Sequence, residues 1–225
     1  MLESKVFSGI KVSSSAESPD VIHLLHQLHS YPHITSARLL IRTGDMTLSP
    51  SFVDYMESSY TRRQLHLSLG SVPLRHDLDG WCKAVCASLS RSKSIRKLHV
   101  TSMWMNEQEV HFLTYAVTSS HSTEKVHYST ITFTNSAAFV HRLSLGIKTN
   151  YTLFDVTIDT LVDRESANHL FLVCDMTRRN SGLVALAVQL VTGGQPRRQV
   201  LPEIFRRYQS LIFTVCNNEN NQECC

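Results

Sequence analysis

Net charge is nearly absent from this chain: 22 Lys and Arg against 19 Asp and Glu leave +3 with His neutral. A balance this small does not by itself suggest a nucleic-acid binder. Long apolar runs are missing too, none reaching the roughly 18 residues that a membrane span requires, so no membrane partner is expected. The opening MLESKVFSGIKVSSS has no basic-then-apolar signal pattern, which argues against secretion and for the cytoplasm. Catalytic signatures are also lacking. There is no G-x-S-x-G, no H-E-x-x-H, no Cys/His zinc spacing and no phosphate-binding G-x-x-x-x-G-K-[ST]. No enzyme, catalytic residue, cofactor or metal site is therefore expected.

Cysteine is sparse at six: Cys82, Cys86, Cys174, Cys216, Cys224 and Cys225. The first three fall on apolar helix faces, where a thiol acts as a small hydrophobe. Without a signal pattern, free thiols in a reducing compartment are expected. Asn150-Tyr151-Thr152 fits a glycosylation sequon, but it also sits at a loop-to-strand position of the repeat described next.

What the chain does have is self-similarity. Read in blocks of 28, the stretch from Leu89 to Leu145 repeats. Leu89, Val117 and Leu145 form one apolar column; Leu98, Val126 and Phe154 form a second; Val100, Tyr128 and Val156 form a third. Ser94, Ser122 and Asn150 keep the same step as a polar column. A fixed period of this length marks a solenoid of stacked supersecondary units. Anchoring each unit on the middle apolar residue of its strand gives Ile10, Ala37, Leu65, Leu98, Val126, Phe154, Leu186 and Leu211. The long steps before Leu98 and Leu186 imply insertions near Pro73 and near Arg178 to Ser181.

Between anchors the pattern is that of amphipathic helices. Ser18-Pro19 reads as an N-terminal cap before Val21, Leu24, Leu25 and Leu28, and Ser49-Pro50 precedes Phe52, Val53 and Met56. Trp81, Ala84, Val85 and Leu89 follow Asp79; Val110, Leu113 and Val117 follow Glu107 and Glu109, acids favoured in a first turn. Ala138, Phe139 and Leu143 follow Asn135, and Ala167, Leu170, Phe171 and Cys174 follow Asp163. A seventh pattern runs from Val200 to Tyr208. His23, His26 and His29 read as the solvated face of the first helix. Alternation of strand and helix every 28 or so residues implies parallel strands joined by helices returning on one face.

The columns resemble the leucine-rich repeat, L-x-x-L-x-L followed by a helix, in the long form of ribonuclease-inhibitor-like proteins. Their spacing is similar to the repeat regions of cytosolic nucleotide-binding receptors. The resemblance implies an α/β solenoid with strands on a concave face and helices outside. It covers residues 1–215 in about eight units, with 216–225 a polar, disordered tail. The family's Asn or Cys after the strand would fall at Met103, Ile131 and Asp159, two of them apolar, so the turns here must be satisfied otherwise. No capping unit is evident at either end.

The resemblance also implies non-enzymatic binding of another protein through the concave face. Residues flanking each anchor should line that face. One column reads Lys11, Arg38, His66, His99, His127, Asp155, Ala187 and Ile212; the other reads Gly9, Ser36, Gln64, Lys97, Lys125, Leu153, Ala185 and Ser210. The candidate partner-binding residues are Lys11, Arg38, His66, His99, His127, Lys97, Lys125 and Asp155, a strip suited to an acidic surface. Three imidazoles in a row on a sheet lack the tetrahedral closure a metal needs. A substrate-recruiting adaptor of a ubiquitin ligase, or a sensor of an anionic ligand such as nucleic acid, are the alternatives.

Overall fold

Among the described residues, six segments in which apolar and polar residues alternate become six parallel strands of one sheet, in the order of the chain. The structure, a computed structural model, describes residues 8–13, 23–24, 27–28, 30–42, 50–57, 63–70, 78–102, 105–159 and 163–191. The strands are β1 (Gly9–Ser13), β2 (Ser36–Arg42), β3 (Arg63–Gly70), β4 (Ile95–Ser102), β5 (Lys125–Thr130) and β6 (Asp155–Ile158). Between them lie α1 (Pro50–Glu57), α2 (Leu78–Arg91), α3 (Glu107–Ser119), α4 (Phe133–Gly146) with a 3-10 turn at Ile147–Thr149, and α5 (Arg164–Val191) after β6. Parallel neighbours must be joined by a crossover, and the helices supply it.

Alternation decides the two faces. Leu65, Leu67, Leu98, Val100, Val126 and Tyr128 point to one side, where they are buried with Cys82, Val85, Val110, Leu113, Val117, Phe139 and Leu143 from the helices. Full burial of side chains of this size contributes about 1.5–3 kcal/mol each. Tyr128 is fully buried and stacks on Phe139, with centroids 4.2 Å apart. Cys82 and Cys86 are buried in this core, and Cys174 is half-buried.

The 28-residue register places β4 on β5, pairing Leu98 with Val126 and Val100 with Tyr128. It fails at β6. Val126 pairs with Val156 and Tyr128 with Ile158, so Phe154, expected as the sixth anchor, precedes the strand. Leu145 is exposed, and Ile147 takes its buried place. The step here is two residues longer, and the cause lies in α4. The loop from β4 to α3 spans residues 103–106, whereas only Ile131 and Thr132 separate β5 from α4. The helix begins a turn early, so Asn135 lies inside it and Thr132 occupies the cap. A shift of two preserves the alternation of a strand, so the faces are unchanged.

The polar column is corrected in the same way. Asn150 is the equivalent of Ser120, and its amide donates to the carbonyls of Thr118 (2.9 Å) and Ser120 (3.1 Å). Its Oδ1 accepts from the N–H of Leu153 at 2.9 Å. Thr152 continues the Ser122 position: each hydroxyl donates to a carbonyl of the preceding unit, Ser122 to Ser92 (2.7 Å) and Thr152 to Ser120 (3.1 Å). These side chains, Asn150 and Ser122 buried and Thr152 half-buried, satisfy the turns between helix and strand. That role was expected just past the strands, but Ile131 there is exposed and Asp159 turns to the other face.

The largest departure is α5. A seventh strand was expected at Leu186, yet the helix runs unbroken through it. Its inward stripe is Ser166, Val173, Thr177, Asn180 and Ala187, while Phe171 and Ala167 are exposed. Beyond Asn180, Leu183, Val184 and Leu186 join Tyr151 and Phe154 in a second apolar cluster beside β6. Helix formers at Leu183, Ala185, Leu186 and Ala187 carry the helix on where the repeat would turn. The caps at Ser18 and Pro19, the insertion at Pro73, the helix near Val200, the strand at Leu211 and the tail lie outside the described residues.

Candidate protein-binding face

Among the described residues the helices cover one side of the sheet, and none covers the other. Three columns of side chains stand on it. The central one is Lys11, Arg38, His66, His99 and His127, each aligned with the next across the parallel ladder. Its sixth member is Thr157, where Asp155 was expected. Asp155 belongs instead to the column of Gly9, Ser36, Gln64, Lys97 and Lys125, because of the two-residue shift at β6. Leu153, expected in that column, is fully buried, and Ala187 is buried in α5. The third column carries Ser68, Thr101 and Ser129. Together the strands β2 to β6 line a groove of about 380 Å3.

Stacked strands lie about 4.8 Å apart. The imidazoles close that gap further. His66 and His99 stack with centroids 3.9 Å apart and planes 6° from parallel; His99 and His127 are at 4.1 Å and 9°. His66 Nε2 lies 3.2 Å from the Thr101 hydroxyl. Partial burial and the neighbouring His99 and Arg38 hold the pKa of His66 down at about 4. His99 is lowered as well, by burial first and then by His127, with Asp159 opposing. Both rings are therefore neutral at physiological pH.

The β6 side is acidic. His127 Nε2 lies 2.8 Å from the Asp159 carboxylate, a hydrogen bond that holds the pKa of Asp159 below its ordinary value. Lys125 Nζ is 3.5 Å from Asp155. Among the described residues no carboxylate pairs with Lys11, Arg38 or Lys97. All eight sequence-derived candidates thus stand on one face. Asp159 is the site residue that sequence reasoning assigned elsewhere, to a turn, and its signal was a parity shared with Asp155.

Rings stacked face to face aim their nitrogens side by side rather than at one point. Among the described residues no group of three or more His, Cys, Asp or Glu could hold a metal ion. On the helical side Ser144 Oγ lies 3.0 Å from His169 Nδ1, but the hydroxyl donates to the His141 carbonyl at 2.7 Å, so its proton is not offered to the imidazole. His23 is exposed and lies 2.8 Å from Gln27; His26 and His29 are outside the described residues. No helix among the described residues is long and apolar enough to cross a membrane.

No family model matches the chain, and no curated protein matches it. Among solved structures, a chain described as leiomodin-1 actin-binding site 2 is similar with a TM-score of 0.48. The match has 14% sequence identity and covers 82% of this chain and 100% of that one.

Proposed function

We propose that this chain is a divergent leucine-rich repeat segment that binds another protein, without catalysis, through the open face of its sheet. The observation that carries the reading is the sheet's asymmetry. Every core side chain of β3 to β5 packs toward the helices, and the opposite face is left to exposed Lys11, Arg38, Lys97 and Lys125 around a half-buried imidazole stack. A wide face that no described residue covers suits recognition of a macromolecular surface. Helix–strand units that satisfy their turns from one unit to the next, as Ser122, Thr152 and Asn180 do, are what a stacked array requires. Buried Cys82 and Cys86 pack as small apolar side chains, which accords with a cytosolic setting.

The test is selective capture followed by mass spectrometry. Ser68→Trp with Ser129→Trp should fill the open face without touching the core. Tyr115→Ser alters an exposed residue on a helix and serves as the control. Proteins retained by the wild type and by Tyr115→Ser, but lost from the Trp variant, mark open-face partners. Capture that follows the helical side instead would refute the assignment.

A further inference from the structure

Charge on the open face is unevenly neutralised. The acids Asp155 and Asp159 both lie at the β6 side, where they occupy Lys125 and His127. The cations toward β1, namely Lys11, Arg38 and Lys97, have no carboxylate among the described residues, and all three are exposed. His66 and His99, packed ring on ring, stand between Arg38 on β2 and the acids of the β6 side, with Lys97 on the same strand as His99. Among the described side chains, those facing them from neighbouring strands are Arg38 and Gln64 on one side, Thr101, Lys97, Lys125 and His127 around them, and Asp155 and Asp159 beyond.

We propose that the β2–β4 half of this face receives an acidic protein segment, whose carboxylates sit on Arg38 and Lys97 above the His66–His99 stack, and that binding draws protons from solvent onto that stack. This rests on the open-face reading and specifies its partner. Charge complementarity carries it. A carboxylate over the stack supplies the opposite charge that a second imidazolium so close to Arg38 lacks, so protonation and binding favour one another. A short acidic segment fits the arrangement better than nucleic acid does. A continuous polyanion extending along the face meets Asp155 and Asp159, while a segment seated on β2–β4 avoids them. The low net charge of the chain points the same way.

Fluorescence polarisation on the full chain tests this with labelled hexaglutamate, the matching glutamine and lysine peptides, and an oligothymidylate of equal charge. Hexaglutamate should bind best, and its affinity should rise about tenfold between roughly pH 7.5 and pH 5.5. Arg38→Gln and Lys97→Gln should each weaken it several-fold. His66→Gln with His99→Gln should flatten the pH dependence. Asp155→Asn with Asp159→Asn should tighten binding, a gain that misfolding cannot produce. Preference for the glutamine or lysine peptide, lost in the Ser68→Trp and Ser129→Trp variant, would overturn the acidic partner and leave open-face recognition standing. Tighter binding of oligothymidylate would overturn it in favour of nucleic acid. Binding indifferent to every open-face replacement would overturn both readings.

Discussion

Asn180 reaches across one unit to Asn150: its amide donates to the Asn150 carbonyl at 3.1 Å and to that of Leu153 at 2.8 Å. Ser122 does the same one unit earlier, to Ser92 and Ile95. Both side chains are buried, Asn180 fully. Replacing Asn180 with Ala leaves the Leu153 carbonyl without that donor. The expected cost is about 1–3 kcal/mol, the range for an orphaned buried polar group. Urea unfolding should show a lowered midpoint with an unchanged slope. A change below about 0.5 kcal/mol would mean that water reaches this turn.

At Gly146 the end of α4 lies close against Thr118 of α3. A Cβ there would lie 2.9 Å from Thr118 Cγ2 and 3.1 Å from its Oγ1. Thr118 cannot readily swing away, because its hydroxyl donates to the Thr114 carbonyl at 2.9 Å. Although Ala is ordinarily the better helix former, Gly146→Ala should destabilise by about 1–3 kcal/mol through overpacking. Thr118→Ser removes the clashing methyl, so the double variant should regain part of the loss. Additive losses in a double-mutant cycle would refute the contact.

Asn106 and Glu109 close the start of α3 as a capping box. The Glu109 N–H donates to Asn106 Oδ1 at 2.8 Å, and the Asn106 N–H donates to Glu109 Oε2 at 2.7 Å. Asn106→Ala should cost about 1 kcal/mol, and Asn106→Ser much less, since a hydroxyl can still accept. Thermal denaturation of the two variants should separate them by a few degrees. Equal losses would show that the side-chain acceptor is not what holds the helix end.

The 28-residue columns made β4, β5 and their core faces legible, because Leu98, Val100, Val126 and Tyr128 are apolar and regularly spaced. They misplaced β6 because Phe154 and Val156 share parity. A slip of two residues leaves every apolar side chain on the same face, so the pattern cannot register it. The extra turn that causes it begins at Phe133, which is exposed and gives no periodic cue. In α5 the inward stripe includes Ser166, Thr177 and Asn180, which an apolar count discards, and Leu170 and Phe171 drew the reading to the wrong side. The open-face columns were readable for the same reason as the core: they are its alternate residues. The ion pairs were not, since they depend on the register of β6.

The final prediction concerns acid. His66 titrates at about 4 in the folded protein against an ordinary 6.5, chiefly because burial disfavours its charged form and then because His99 and Arg38 repel it. His99 is lowered for the same first reason. Unfolding frees both rings, so between pH 6.5 and about 4 the unfolded chain binds protons that the folded chain refuses. Stability contributed by keeping His66 neutral is therefore complete above the ordinary value and declines as pH falls through this window. Asp159 acts lower down: its folded pKa is depressed, so its contribution holds above the ordinary carboxylate value and is lost as pH falls below it. Urea midpoints measured across pH should fall between about 6.5 and 4, and less steeply in His66→Gln. NMR titration of the imidazoles should find His66 well below the ordinary value. If His66 titrates near 6.5 and its replacement leaves the slope unchanged, the ring is solvated, and the stack does not resist charge.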